Sequence, residues 1–347
     1  MGTRNKPAFI LLTVFLASCV TSKHVPMGEG KRTEINRIYH SDPGLFHSRF
    51  VNGEAVSDGD GNAVDTGYFD SEHYFDSILS DMDFDIDNAN ITFLYLPFGG
   101  QEIGVFYLEP PGRDSKATVF FFHGYFDYAA KFNRFYAALL ENGYSVVSVE
   151  LPGHGLSTGP RGEIGNFEDY GRLVRDALDW ADEAGIKKPY LGAGHSTGSA
   201  ALAIFVTGNT DPGLEAVFLG SPIGRSKAYY PAVVGSVLMR PFMFAVKAGW
   251  KGDYSVNYVP LSWFRAQRAW VKTHPEMQPS DIPAFICWGG EDDTLDLKYS
   301  RRLYDRLFPN SVSFDFPDGR HNLYVDSDVN EHVFLEAIRF FSLHTKQ

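Results

Sequence analysis

Gly194-His195-Ser196-Thr197-Gly198 sets a serine between two glycines at the junction of two unlike runs. Before it stands Pro189-Tyr190-Leu191-Gly192-Ala193, short and apolar. After it stands Ser199-Ala200-Ala201-Leu202-Ala203-Ile204-Phe205-Val206, small, apolar and helix-prone. A strand, a tight turn and a helix with serine at the turn lift the hydroxyl clear of the sheet edge, where it can attack an electrophile. The same pattern recurs at Gly155-Leu156-Ser157-Thr158-Gly159, but there Pro160 and Arg161 follow inside a Gly/Pro cluster and no helix closes the turn. Context selects Ser196 over Ser157.

A serine hydroxyl is a weak nucleophile near neutral pH, so it needs a base, and the base needs an acid to orient it. Both should lie beyond strand ends downstream of the serine. Asp293, in Gly290-Glu291-Asp292-Asp293, is the expected acid, with Asp292 its nearest rival. The cluster with Asp296 reads otherwise as a solvated turn. His321, in Pro317-Asp318-Gly319-Arg320-His321, is the expected base, since His332 and His344 fall on a terminal helix. His195, beside the nucleophile, suits packing or the turn better than proton transfer. An oxyanion formed at the carbonyl needs two backbone N–H donors, assigned to Thr197 and to Tyr125 in His123-Gly124-Tyr125. Losing one such donor typically costs roughly 3 kcal/mol.

The elements that must position these groups alternate. Ile91–Leu96 and Ile103–Leu108 read as a hairpin, and Thr118–Phe122 and Tyr144–Val149 as strands buried on both faces. Ala129–Asn142 and Phe167–Ala184 carry apolar residues at helical spacing. After the serine turn come a strand at Ala216–Leu219, a strand at Ala284–Trp288, a helix over 298–308, a strand at Val312–Phe316 and a helix from about Val329 to Leu343. Asp328 and Glu331 make a plausible capping box for that last helix. This is an α/β pattern, a mostly parallel sheet flanked by helices. Between about 222 and 281 it lapses into an aromatic- and methionine-rich segment, read as an inserted helical cap. Arg240 and Pro241 break its most apolar part, which argues against a membrane span.

With 347 residues, 44% of them hydrophobic, the chain can bury one large core, and its net charge of −12 gives no reason to bind nucleic acid. Arg4 and Lys6 precede a short apolar run, Ala8–Leu16, which ends in Leu16-Ala17-Ser18-Cys19. That stretch resembles the bacterial lipobox, in which the cysteine is lipidated and begins the mature chain. The expected organisation is a lipoprotein signal peptide (1–18), a tether and acidic extension (19–89), and a catalytic domain (90–347). The resemblance implies a lipid-anchored protein of the bacterial cell envelope, in the outer membrane if the host is Gram-negative. If Cys19 carries lipid, Cys287 has no disulfide partner and is a buried structural thiol. Asp58-Gly59-Asp60-Gly61-Asn62 departs from a calcium loop at Ala63 and Phe69 and reads as a solvated acidic loop. No metal or cofactor is expected.

From about residue 90 to 343 the chain resembles the α/β-hydrolase superfamily, within it the monoacylglycerol lipase and lysophospholipase group. The resemblance rests on His123-Gly124 with Asp127-Tyr128, on Leu151–Gly159 with Arg161, on Gly194–Gly198, on Gly290…Asp293 and on Gly319-Arg320-His321. Asn322 departs from it, since many members carry glutamate after the histidine. The resemblance implies an α/β-hydrolase fold and a serine hydrolase cleaving esters of single-chain lipids through an acyl-enzyme. A peptidase, amidase or short-chain carboxylesterase on the same triad is the alternative, and a non-catalytic envelope lipoprotein a further one.

Overall fold

The computed structural model describes residues 19–20, 47–51, 54–55, 86, 89–110, 112, 114–230, 245–247, 254–256 and 258–345. The signal peptide, the Asp58–Asn62 stretch and much of the cap, including Met239, Phe242, Met243 and Trp250, lie outside the described residues. Of Cys19 only the backbone is described.

In chain order the strands are β1 (Cys19–Val20), β2 (His47–Val51), β3 (Glu54–Ala55), β4 (Asn90–Phe98), β5 (Gln101–Glu109), β6 (Ala117–Phe122), β7 (Tyr144–Val149), β8 (Tyr190–His195), β9 (Val217–Gly220), β10 (Ala245–Lys247), β11 (Tyr258–Pro260), β12 (Ala284–Gly289) and β13 (Val312–Phe316). The helices are α1 (Asn133–Glu141), α2 (Asp169–Glu183), α3 (Thr197–Thr207), α4 (Leu261–Thr273), α5 (Leu297–Leu307) and α6 (Asn330–Leu343). Ten strands form one sheet in the order β13-β12-β9-β8-β6-β7-β5-β4-β2-β3. From β7 to β13 every pairing is parallel, and from β5 outward to β3 every pairing is antiparallel.

Alternation along β6 shows how the core divides. Val119 and Phe121 face the layer of α1 and α6, among Phe135, Tyr136, Phe334 and Phe341. Phe120 and Phe122 face the layer of α2 and α3, among Leu173, Val174, Leu202 and Phe205. A strand apolar at every position is therefore one covered on both sides, as parallel crossovers require. The sheet is the α/β-hydrolase fold, with the serine turn near its middle.

Three local readings change. The first helix begins as a 3₁₀ turn, Ala129–Phe132, whose Ala129 amide donates to Glu150 Oε1 at 3.2 Å. The capping box at α6 does not form: the cap residue is Val329, with no side-chain cap, and the Asp326 carbonyl accepts from the Val329 and Asn330 amides. β2, from the stretch expected to be only tether and acidic extension, pairs with β4 through His47↔Thr92 and Arg49↔Asn90 and widens the sheet.

The described part of the cap packs on the sheet through aromatics. Trp263 of α4 lies 4.9 Å from the Tyr125 ring and donates from Nε1 to the Tyr170 hydroxyl at 3.2 Å. Trp270 stacks on Phe167 at 4.6 Å. Buried Arg161 donates to the carbonyls of Gly155, Tyr254 and Ser255, tying the Leu151–Gly159 loop to the segment before β11.

Candidate active site

Ser196 sits between the end of β8 and the start of α3 with φ 50 and ψ −106. That conformation is strained for any side chain but glycine, by about 1–3 kcal/mol, and persists because its surroundings enforce it. The Ser196 amide donates to Gly220 O at 2.9 Å, and the Ser196 carbonyl accepts from the Ala200 and Ile223 amides. Gly198 makes the crossing possible: a Cβ there would lie 1.9 Å from the Phe122 carbonyl oxygen. The first turn of α3 thus packs directly on the end of β6.

The base and acid come from the loops after β13 and β12. The Gly290 and Glu291 amides donate to Phe316 O and Gly319 O at 2.8 and 2.9 Å. A Cβ on Gly289 or Gly290 would lie 2.4 Å from Arg320 O or 2.3 Å from Pro317 O, so only glycines let the two loops meet backbone to backbone. The His321 loop is pinned again by Asp326, which accepts from the Arg320 amide at 2.9 Å, and by the Tyr324 hydroxyl, which donates to Gly194 O at 3.1 Å. Sequence reasoning missed both anchors, which no motif marks.

The result is a continuous line. Ser196 Oγ lies 3.0 Å from His321 Nε2, and His321 Nδ1 lies 2.7 Å from Asp292 Oδ2. The acid expected at Asp293 is therefore corrected to Asp292. The Asp292 side chain is wholly buried, and its Oδ1 accepts from the Thr294 and Leu295 amides at 2.8 and 3.0 Å. Asp293 is exposed, and its carboxylate accepts from its neighbour's Thr294 hydroxyl at 3.5 Å. Burial alone would raise the Asp292 carboxyl, but the His321 bond, the His321 charge and the two amides outweigh it and hold it below the usual carboxylate range.

His195 is buried, and burial, followed by the charge of His321, pushes it down to about 3, so it is neutral. Its Nε2 stands 3.7 Å from Asp127 Oδ2. Burial would raise Asp127, but Lys131 at 3.2 Å holds it low. Asn322 donates to the same Asp127 carboxylate at 3.4 Å. Ser157 is buried and accepts from the Gly104 amide at 3.0 Å, a structural bond far from this line.

Above Ser196 opens a cavity of about 640 Å³. Phe126, Ile223, Val259, Trp263, Phe264 and Val325 give it apolar walls, and Tyr125, Thr197 and His321 border the serine. Thr197 opens α3, so its amide belongs to the first turn, whose N–H groups have no partner within the helix.

The fold is that of the α/β-hydrolases, and three of its side chains stand in a serine–histidine–aspartate arrangement. Residues 113–277 match the sequence model of the Hydrolase_4 family, described as serine aminopeptidase, S33. The chain is 22% identical over 249 residues to the phospholipase YtpA of Bacillus subtilis, a match covering 65% of this chain and 94% of that protein. It is similar in structure to a soluble variant of the monoglyceride lipase of Saccharomyces cerevisiae, with TM-score 0.62 and 17% identity over 73% of this chain and 96% of that one. It also resembles the monoacylglycerol lipase of Paleococcus ferrophilus, with TM-score 0.55 and 19% identity over 67% and 96% of the two chains.

Proposed function

We propose that this chain hydrolyses carboxylic esters of single-chain lipids, monoacylglycerol or lysophospholipid, through an acyl-enzyme. The observation that carries the reading is the hydrogen-bonded line Asp292–His321–Ser196 at the floor of an apolar cavity. Ser196 Oγ attacks the ester carbonyl while His321 Nε2 takes its proton, and Asp292 holds the imidazolium that forms. The Tyr125 and Thr197 amides bind the oxyanion. His321 then gives the proton to the departing alcohol, and water repeats the cycle on the acyl-serine to release the fatty acid. The lipid assignment is supported by the cavity's aromatic and aliphatic walls, whose volume suits one organic chain, and by the names of the similar proteins.

The reading extends to the cell envelope. Cys19 after Leu16-Ala17-Ser18 supports lipid anchoring there, and labelled palmitate should enter the native chain but not the Cys19→Ser variant. The catalytic reading is tested with acyl esters of graded length, monoacylglycerol, lysophospholipid and a peptide arylamide. Long-chain esters should be preferred and Ser196→Ala inert. Full esterase activity in Ser196→Ala would sink the mechanism, and equal rates on acetyl and long-chain esters would sink the lipid assignment.

A further inference from the structure

Among the described residues, six charged side chains line the cavity: Asp127, Lys131, Lys227, Asp293, Arg320 and Asp326. Four neutralise one another, Lys131 with Asp127 at 3.2 Å and Arg320 with Asp326 at 3.3 Å. The remaining two do not. The Lys227 ammonium donates to a backbone carbonyl, Asp292 O, at 3.2 Å, and Asp293 accepts, among the described residues, from the Thr294 hydroxyl. Among the described residues neither stands within ion-pair distance of an opposite charge.

Their positions are fixed relative to the chemistry. Ser226 bridges Leu295 in antiparallel register, and the Lys227 amide donates to Thr294 O at 2.9 Å. Lys227 and Asp293 therefore sit side by side on two joined segments, both exposed at the cavity mouth. Asp292, which holds Lys227 through its carbonyl, is the residue bonded to His321. A positive and a negative group thus flank the acid side of the triad.

We infer that this mouth reads a zwitterionic phospho-amine head group, with Lys227 taking a phosphate oxygen and Asp293 the ammonium. A glycerol head group offers neither charge. A phosphate without an amine satisfies Lys227 but leaves Asp293 facing a negative ligand. Of the substrates proposed above, the inference therefore selects a zwitterionic lysophospholipid, and it rests on that reading of the site.

The test compares short-chain lysophosphatidylethanolamine, lysophosphatidylglycerol and monoacylglycerol, all below their micelle concentrations. Wild-type kcat/KM should fall in that order. In Lys227→Met the ratio of phosphatidylethanolamine-type to monoacylglycerol kcat/KM should drop about tenfold, the scale of one charge-assisted hydrogen bond, and Lys227→Arg should restore it. Asp293→Asn should erase the preference for the ethanolamine over the glycerol head. Binding of the same lipids to the Ser196→Ala variant, with and without Lys227→Met, gives a second readout independent of turnover. A ratio unchanged within about twofold in Lys227→Met, the scale of an exposed ion pair, or equal binding of phospholipid and monoacylglycerol, overturns the inference. Failure of wild type to cleave any acyl ester would instead overturn the esterase reading, and the binding series would still decide the head group.

Discussion

Two adjacent carboxylates, Asp292 and Asp293, face opposite ways: one is buried on His321 and the other exposed at the cavity mouth. Counting residues from a strand end cannot tell them apart, because the turn after β12 has no periodicity. Its direction comes from Gly289 and Gly290 packing on Pro317–Arg320, a contact between segments distant in sequence. Ser196 and His321 were legible because each follows a strand and carries its own motif. The distinction has a kinetic signature. Asp292→Asn leaves the imidazole without its orienting anion and should lower kcat toward a short acyl ester by about 10⁴, at least a hundredfold more than the same exchange at Asp293. Comparable losses at both positions would contradict the assignment. A second prediction concerns acid. Burial, with Arg306 and Arg225, pushes His274 down to about 3, and burial pushes His195 to the same value. Below about 6.5 the unfolded chain binds protons at both rings that the folded chain refuses until about pH 3. Stability therefore falls with falling pH across that window, by about 1.4 kcal/mol per pH unit for each histidine. His274→Asn should reduce the slope of unfolding free energy between about pH 4 and 6 by nearly one proton. Denaturant titrations across that range would reveal it, and parallel slopes would refute it.

Among the elements, strands buried on both faces and helices with an apolar stripe announced themselves, since burial imposes period on sequence. β7 and β13 keep the bounds their residues suggest. The capping box failed because Asp326, two residues earlier, is drawn into the Arg320 pin and its carbonyl supplies the turn instead. Such competition between a local motif and a tertiary contact leaves no trace in the local pattern. The cap helix α4 makes its own prediction. Trp263 is buried against Tyr125, Phe167 and Tyr170 and also lines the cavity. Trp263→Ala should cost about 3–5 kcal/mol of stability and shift preference toward bulkier acyl groups. Thermal unfolding and a chain-length series would measure the two effects, and a stable variant with unaltered preference would contradict the packing. At the elbow, Gly198→Ala forces a Cβ onto Phe122 O. It should abolish activity and lower the melting temperature together, whereas loss of activity alone would mean the turn had absorbed the methyl group.

At the scale of the molecule, six parallel strands carry the chemistry and the antiparallel strands β5 to β2 extend one edge. That extension was hidden by composition, since acidic residues around β2 signalled solvent more strongly than its short apolar content signalled a strand. The three chemical residues are spread unevenly along this sheet. Ser196 stands near its middle, just after β8, while Asp292 and His321 follow the last two strands at the far edge. The bond between base and nucleophile spans 125 residues of chain. A ribosome adding about 5–20 residues per second therefore makes the elbow about 6–25 s before it makes the imidazole that bonds it. During that interval the nascent polypeptide carries Ser196 without its hydrogen-bond partner, and on the proposed mechanism a product truncated anywhere before His321 should be inert however well its first strands have folded. Timing of synthesis, set by strand order alone, thus leaves an unfinished chain with the serine turn but without the imidazole that bonds it.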